Sequence, residues 1–160
     1  MATATHVPVE VYLSSNYEPD AEYVDGAIEE RPMGQYDHAS WQKAILLWFA
    51  NNAKEWNSRV LPDYRVKVSA TRYRVPDVTV FDRLRPIEQI LTYPPIAVFE
   101  VLSPEDRVAR MLVKLRDYQT MGILTIVVID TDTDTIYRYW DGVLTPSEDR
   151  ACPGSQCVLD

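Results

Sequence analysis

The pattern of apolar and polar residues changes its period along the chain, and each period predicts a type of element. Short β-prone stretches flank Asp25-Gly26, a residue pair that tolerates the positive φ angles of a tight turn. They predict a β-hairpin over residues 23–30. Further along, apolar side chains recur every three or four residues as far as Trp56. This longer period predicts a long helix with Asp37 as its N-cap.

Two segments with the two-residue period of a β-strand follow, at residues 64–68 and 73–81. In the second segment, Asp77 shares a face with aromatic and aliphatic neighbours. Pro76 has no backbone N–H, so it indicates an edge, a bulge or the start of a strand. Residues 82–95 then predict a loop that contains one helical turn.

The run at residues 96–102 is apolar on both faces apart from one charge, which is typical of a central buried strand. Ser103 and Pro104 predict the N-cap and the first residue of a helix. Gly122 predicts the end of that helix, since glycine is favoured just beyond a helix C-terminus. The apolar run at 123–129 completes a predicted right-handed βαβ unit.

A turn at residues 132–134 and an amphipathic strand at 135–140 end the regular pattern. The element order predicts an α/β fold, in which a mixed β-sheet is flanked by the long N-terminal helix and the βαβ crossover helix. A length of 160 residues fits one domain. We place this domain at residues 1–145 and expect a weakly ordered tail at 146–160.

The composition argues against secretion and membrane insertion. The longest unbroken apolar run, from Ala44 to Ala50, has seven residues, whereas a membrane span needs about twenty. Residues 1–6 lack the basic flank and the apolar stretch of a signal peptide. The two cysteines, Cys152 and Cys157, form no disulfide framework and have no common zinc spacing. The sequence therefore predicts a reduced, cytoplasmic protein without a membrane segment.

The charge of the chain gives two opposite indications about nucleic acids. The formal net charge is −8, which argues against binding to a polyanion. Residues 54–116, however, contain twelve Lys and Arg against eight Asp and Glu. This segment can present a positive face on an acidic protein, or its charges can form a mixed, solvated surface. Charge alone favours the second interpretation.

Glu100 is the only charged residue in its apolar strand. An unpaired buried carboxylate is costly, so Glu100 must be protonated, paired or bound to a metal. A structural ion pair with an arginine is the simplest alternative. Asp77 lies on another predicted strand, and carboxylates on neighbouring strands can share one hard cation such as Mg²⁺. The pair therefore indicates a magnesium site, and the ion would supply a Lewis acid.

Lys114 and Tyr118 lie one turn apart on the same face of the following helix. A lysine above two acidic strand residues can orient an attacking water or stabilise developing phosphoryl charge. The alternative is an ordinary surface lysine. Arg107 and Arg110 lie near the start of this helix, and with Tyr118 they are candidate substrate-binding residues.

These residues together resemble the PD-(D/E)XK nuclease superfamily: Pro76-Asp77, the string at 100–104, and Lys114 and Tyr118 on a helix. The chain more closely resembles the Uma-type family of restriction-endonuclease-like proteins, over nearly its whole length. The resemblance implies a restriction-endonuclease-like core. It also implies a metal-dependent endonuclease that hydrolyses DNA phosphodiester bonds, acting as a homodimer because two strands need two sites.

The resemblance implies that Mg²⁺, with Mn²⁺ as a substitute, is held by Asp77, Glu100 and the carbonyl of Val101. It also implies that His38, at the start of the long helix, lies near the site. A neutral imidazole there can accept a proton or position water. The alternative for this histidine is a bond to the local backbone.

The sequence departs from the superfamily pattern at two positions. Leu102 stands where a lysine is usual, and the family resemblance implies that Lys114 on the helix takes over that role. Ala27 stands where the family often has a glutamate, so Glu29 or Glu30 is the candidate for a third acidic ligand.

Two other functions stay open at this point. A nuclease-like fold can bind nucleic acid or a protein partner without cutting, and Leu102, Ala27 and the acidic net charge favour this alternative. A different enzyme can use Asp77 and Glu100 as an acid–base pair without a metal, for example on a sugar.

Overall fold

The computed structural model describes residues 5–104 and 106–147. Within these residues the chain forms three helices and ten strands. The helices are α1 (Val9–Leu13), α2 (Tyr36–Asn51) and α3 (Val108–Met121). The strands are β1 (Glu22–Val24), β2 (Ala27–Glu29), β3 (Ser58–Pro62), β4 (Val66–Ser69), β5 (Arg72–Arg74), β6 (Val78–Asp82), β7 (Ala97–Val101), β8 (Thr125–Asp130), β9 (Thr135–Trp140) and β10 (Val143–Pro146). None of the helices in this described part is long and apolar enough to span a membrane.

Four strands form a small antiparallel sheet in the order β2-β1-β5-β4. β1 and β2 are the predicted hairpin, and its turn residues Asp25 and Gly26 have φ angles of 49° and 92°. Tyr23 pairs with Tyr73 across β1 and β5. Both rings pack against Tyr12 of α1, and this aromatic cluster holds α1 on the small sheet.

Six strands form a larger sheet in the order β10-β9-β8-β7-β6-β3. β7 and β8 run parallel and α3 connects them, which confirms the predicted order strand, helix, strand. The other neighbouring strands of this sheet are antiparallel. The predicted α/β class with a mixed sheet is therefore confirmed.

The larger sheet is covered by α2 on one face and by α3 on the other. Ile45 of α2 joins a buried cluster with Phe99, and Leu115 of α3 joins a second cluster with Val98. Because successive strand residues point to opposite faces, Glu100 lies on the same face as Val98. This alternation places the Glu100 carboxylate beneath α3.

The segment 73–81, which was predicted as one strand, is divided between the two sheets. β5 ends at Arg74 in the small sheet, and β6 begins at Val78 in the larger one. Pro76 lies between them and has no N–H to donate to either ladder, so the chain crosses from one sheet to the other there. Asp77 lies at this crossing, immediately before β6.

Helix α2 differs from its predicted boundaries at both ends. Its N-cap is Gln35 rather than Asp37. It also ends several residues before Trp56. The side chain of Asn52 donates to the carbonyl of Trp48 at 2.8 Å, which satisfies one of the last acceptors of the helix.

Helix α3 begins at Val108, later than the predicted start at Pro104. The backbone N–H of Ser103 donates to the Asp106 carboxylate at 2.6 Å, and the Asp106 N–H donates to the Ser103 carbonyl at 3.0 Å. These bonds close a separate turn before the helix. The predicted end is confirmed, since Gly122 has a left-handed φ of 105°.

The sequence pattern missed α1, β3 and β10. The loop at 82–95 was predicted to contain a helical turn, but the structure has none there; Leu91 instead forms an isolated bridge with Val66. β10 pairs with β9, so regular structure reaches the start of the predicted tail. The remainder of that tail from residue 148, with both cysteines, lies outside the described residues.

Candidate active site

Glu100 is held by two side chains of α3. It is 2% exposed, and its Oε1 atom lies 2.8 Å from Lys114 Nζ. The Tyr118 hydroxyl donates a hydrogen bond to the same oxygen at 2.6 Å. Lys114 and Tyr118 are one helical turn apart, so both side chains approach from the same face of α3. The buried carboxylate thus has the polar partners that its burial requires.

Lys114 is buried among acceptors. Its ammonium lies 2.6 Å from Glu22 Oε1 on β1 and 2.8 Å from Glu100 Oε1. It also donates to the carbonyl of Val75 at 3.4 Å. Glu22 in turn accepts the Val75 N–H at 2.9 Å and lies 3.1 Å from Arg74. These contacts hold the Lys114 ammonium against the strands, so Lys114 is not the surface lysine of the alternative interpretation.

Asp77 is bound on both carboxylate oxygens. Its Oδ1 atom lies 2.8 Å from Arg31 Nη2 and 3.2 Å from His38 Nε2. Its Oδ2 atom accepts the backbone N–H of Val101 at 2.7 Å. Since Val101 directly follows Glu100, this bond joins Asp77 to the end of β7 beside the second carboxylate.

These side chains line one cleft with a volume of about 390 Å³. Its acidic lining residues are Glu22, Glu29, Glu30, Asp77, Glu100 and Asp106. Its basic lining residues are Arg31, His38, Arg74, Arg107, Arg110 and Lys114. Acidic and basic groups are thus equal in number. The cleft offers oxygen ligands to a cation and donors to an anion, although the chain as a whole is acidic.

The pKa values of the two central carboxyl groups are displaced in opposite directions. Burial alone would raise the pKa of Asp77, but the hydrogen bond from His38 and the charge of Lys114 lower it to about 2. Burial raises the pKa of Glu100 to about 8, against the opposing charge of Lys114. Asp77 is therefore ionised at neutral pH. A further cation beside Glu100 would favour its ionised form by offsetting its burial.

The carboxylates raise the pKa values of the basic groups that touch them. Burial would lower the pKa of Lys114, but Glu100, Glu22 and Asp77 raise it. The hydrogen bond to Asp77 is the main reason why the pKa of His38 is raised. His38 thus lies against a carboxylate of the site and not against the local backbone.

Comparison with known proteins gives the family and the fold. The family model described as "Uma2: Putative restriction endonuclease" matches residues 9–150. The chain belongs to the Uma2 family. A crystal structure from Anabaena variabilis ATCC 29413, described as "a putative nuclease belonging to DUF820", has a TM-score of 0.77. The two sequences are 23% identical, and the match covers 91% of this chain and 87% of the Anabaena chain. The likeness confirms a restriction-endonuclease-like fold. A search of curated proteins found no match.

The Uma2 chain brings most of the sequence-predicted site residues to one place. Asp77, Glu100, Lys114, His38 and Val101 all line the cleft, as do both arginines from the start of α3. Membership of the Uma2 family and the cleft together support a nuclease-like role.

Tyr118 does not lie where it was expected. It is fully buried, with 0% exposure, and its hydroxyl is bonded to Glu100. A phenol below the floor of the cleft cannot contact a substrate. The reason is its position one turn beyond Lys114, where α3 already packs against β7.

The two candidates for a third acidic residue have different surroundings. Glu29 lies 3.1 Å from Arg74 and 3.3 Å from Arg110, so it is engaged by two guanidinium groups. Glu30 lines the cleft and is exposed. The acidic side chain that joins Glu100 in contacting the central lysine is Glu22, at 2.6 Å.

Sequence reasoning missed Glu22, Arg31 and Arg74. Arg74 carried a signal of the same kind as Glu100, because it is a charge between apolar neighbours near the start of a predicted strand. It is 2% exposed and pairs with Glu22. Arg31 lies in a stretch with proline and glycine and no clear period, so nothing in the sequence indicated its contact with Asp77.

The donor set of this Uma2 site suits a hard divalent cation. Asp77 and Glu100 offer carboxylate oxygens, and Val101 offers a backbone carbonyl beside them. No cluster of three or more His, Cys, Asp or Glu side chains in the described part of the chain forms a ready-made metal cage. Mg²⁺ does not require one, since one or two carboxylates, waters and substrate phosphate usually complete its six oxygens.

Proposed function

We propose that the protein is a metal-dependent endonuclease that hydrolyses DNA phosphodiester bonds. The observation that carries the proposal is the meeting of Asp77, Glu100 and Lys114 in one cleft. The lysine reaches Glu100 from α3, whereas Leu102 packs against the apolar core. The superfamily usually has a lysine where this chain has Leu102. The position of Lys114 therefore supports its taking over the role of that lysine.

The ion in this proposal is Mg²⁺, for which Mn²⁺ can substitute. Asp77, Glu100 and the Val101 carbonyl are its proposed ligands. When bound, the ion would act as a Lewis acid and offset negative charge on the reacting phosphate. The strongly displaced pKa of Glu100 fits this assignment, because a second cation would compensate its burial.

The protein's own residues have separate proposed roles. Lys114 is held as an ammonium and stabilises negative charge that develops on the phosphoryl group. Glu22 and Tyr118 act as positioning residues, the first on Lys114 and the second on Glu100. His38 donates from Nε2 to Asp77 and orients its carboxylate, so this nitrogen is engaged and does not accept a proton from water.

The arginines near the start of α3 are the proposed phosphate contacts. Arg107 and Arg110 line the cleft, and the Arg110 side chain is 58% exposed. A guanidinium matches the paired oxygens of a phosphate. We propose that these two residues hold the DNA backbone while the cleft engages the scissile bond.

A plasmid-nicking assay tests the proposal. Supercoiled DNA is incubated with the wild type in Mg²⁺, in Mn²⁺ and in chelator. Nicking that requires the metal, and that falls at least about a hundredfold in Lys114→Met, is the expected result. Asp77→Asn and Glu100→Gln should lose the activity as well. Lys43→Met removes an exposed lysine of α2 and is the matched control. Nicking that persists in chelator, or that Lys114→Met leaves intact, contradicts the proposal.

One observation favours a second candidate, a nuclease-like fold that binds DNA without cutting it. Asp77 is already paired with Arg31 and His38, so its burial does not require a metal. Fluorescence anisotropy with a labelled duplex separates the candidates. Binding without hydrolysis in either metal indicates the binding function, whereas metal-dependent hydrolysis indicates the endonuclease.

The proposal extends to a homodimer, because cleavage of both antiparallel strands requires two sites. Light scattering at several protein concentrations measures the mass directly. A single-strand nick as the final product of a monomer would limit the proposal to a nicking enzyme.

A further inference from the structure

Arg31 forms an ion pair with Asp77, whose carboxylate is a proposed ligand of the metal. Its Nη2 atom lies 2.8 Å from Asp77 Oδ1, and the same nitrogen lies 2.9 Å from Asp63 Oδ1. The Arg31 side chain is 11% exposed, whereas the Asp63 side chain is 50% exposed. One guanidinium thus joins the buried Asp77 carboxylate to the half-exposed Asp63 carboxylate.

The contacts of Asp77 leave no free lone pair on Oδ1 and one on Oδ2. A carboxylate oxygen has about two lone pairs. On Oδ1 these face Arg31 and His38, at 2.8 and 3.2 Å, and Oδ2 accepts the Val101 N–H. A divalent cation close to Oδ1 would also face the positive charge of Arg31 at short range, where repulsion inside a cleft is strong.

We propose that Arg31 is a built-in competitor of the divalent cation, and that metal binding displaces its guanidinium from Asp77 onto Asp63. This inference rests on the proposed function, since it concerns the same site. Asp63 makes the displacement feasible, because the guanidinium keeps one ion pair when it leaves the other. Arg31 therefore stabilises the metal-free protein and lowers the affinity of the site for metal.

The proposal has two linked consequences. Loss of Arg31 removes the competing contact, so the site should bind metal more tightly. The same loss removes a favourable contact only from the metal-free protein, so it should destabilise that form more than the metal-bound form. By linkage, the gain in free energy of metal binding must equal a difference between two losses in free energy of unfolding. These are the loss of the metal-free form and the smaller loss of the metal-bound form.

The experiment measures Mn²⁺ binding by titration calorimetry on the full chain, with no DNA present. Arg31→Gln should bind Mn²⁺ about tenfold more tightly than the wild type. This factor corresponds to the loss of one charge-assisted hydrogen bond from the metal-free state that competes with binding. Arg31→Lys keeps the charge but loses the planar guanidinium, so its affinity should lie between those two. It also serves as the test variant if Arg31→Gln does not fold.

Arg110→Gln is the matched control. It removes one guanidinium from the same cleft, but that group contacts Glu29 rather than Asp77. Any gain in affinity from a less positive cleft should appear in both variants, and the excess in Arg31→Gln measures the direct competition. Thermal melts in chelator and in Mn²⁺ supply the second readout.

The outcomes distinguish this inference from the proposed function. If Asp77→Asn abolishes Mn²⁺ binding but Arg31→Gln and Arg110→Gln bind equally, the site is real and the competition is disproved. Equal destabilisation of Arg31→Gln with and without Mn²⁺ disproves it too, because a purely structural arginine acts on both forms. If the wild type and Asp77→Asn bind Mn²⁺ alike, or neither binds it, the proposed metal site fails and Arg31 has nothing to compete with.

Discussion

Each carboxylate at the centre of the cleft is buried together with the groups that donate hydrogen bonds to it. These donors determine how much the stability of the protein depends on a metal. Lys114 and Tyr118 satisfy Glu100 at one oxygen. Arg31, His38 and Val101 satisfy Asp77 at both oxygens. Neither carboxylate depends on an ion for its folded position. The metal-free protein should therefore be folded, and added metal should contribute extra stability by mass action.

A melt with and without metal tests this at Glu100. Mn²⁺ should raise the melting temperature of the wild type, and Glu100→Gln should lose most of that rise, because a neutral amide is a poor ligand for a hard cation. In chelator, Glu100→Gln should be about as stable as the wild type. Its amide oxygen can still accept from Lys114 and Tyr118, and the pKa of the native carboxyl is about 8.

The control for that melt is Glu55→Gln, which changes an exposed acid that does not line the cleft. It should respond to Mn²⁺ like the wild type. Equal metal responses of Glu100→Gln and the wild type would remove Glu100 from the ligand set.

Among elements, α3 contributes most to the site, because it carries Lys114 and Tyr118, which both contact Glu100 of β7. The helix ends at Gly122, whose φ of 105° lies in the left-handed region. A Cβ added there would lie 3.4 Å from Pro94 Cγ, an ordinary contact. The cost of a side chain at this position is therefore a backbone cost and not a clash.

Gly122→Ala should lower the free energy of unfolding by about 1 kcal/mol, since alanine is strained at positive φ. Gly122→Asn should lose less, because asparagine tolerates the left-handed conformation. Chemical denaturation of the two variants and the wild type gives the comparison. An alanine variant as stable as the asparagine variant would mean that the helix end relaxes to another conformation.

Elements with a sustained period could be predicted from the sequence, and those defined by long-range pairing could not. The hairpin, α2, β7, α3 and β8 each carry their own periodicity or cap, and the structure contains all of them. β3 exists because it pairs with β6, and residues 73–81 divide because two sheets compete for them. Neither cause is visible in a local window of sequence.

The same distinction holds for the site. Glu100 was detectable because a charge interrupts an apolar strand, and Asp77 and Lys114 followed from their places on another predicted strand and on the next helix. The family resemblance added His38 and the Val101 carbonyl. Glu22 and Arg31 come from the segment before α2, and their contacts with Lys114 and Asp77 depend on the tertiary fold. Side chains that complete a charge network across sheets have no sequence spacing that announces them.

In the whole molecule, an ion network joins the small sheet to α3 and therefore to the larger sheet. Arg74 of β5 lies 2.7 Å from Asp117 of α3 and 3.1 Å from Glu22 of β1. Glu22 continues the network to Lys114. Arg72 adds a further contact to Asp117 at 2.8 Å. The relative position of the two sheets thus depends on buried ion pairs. Removing one partner of such a pair strongly destabilises the fold.

Glu22→Gln tests this network through the dependence of stability on pH. Burial alone would raise the pKa of Glu22, but Lys114 and Arg74 lower it below its ordinary value of 4.5. A carboxyl group whose folded pKa is depressed stabilises the fold above its unfolded pKa and loses that contribution as the pH falls through the folded value. Near neutral pH the variant should therefore be less stable than the wild type by about 3 kcal/mol. The difference should shrink as the pH falls below about 4.5.

Urea denaturation of the wild type and Glu22→Gln across this pH range measures the difference directly, with Glu30→Gln as the control. The control should track the wild type at every pH, because Glu30 is exposed. A Glu22→Gln deficit that stays constant with pH would show that the variant loses shape and hydrogen bonding rather than charge. In that case the two sheets are joined by packing, and the ion network is not what fixes them.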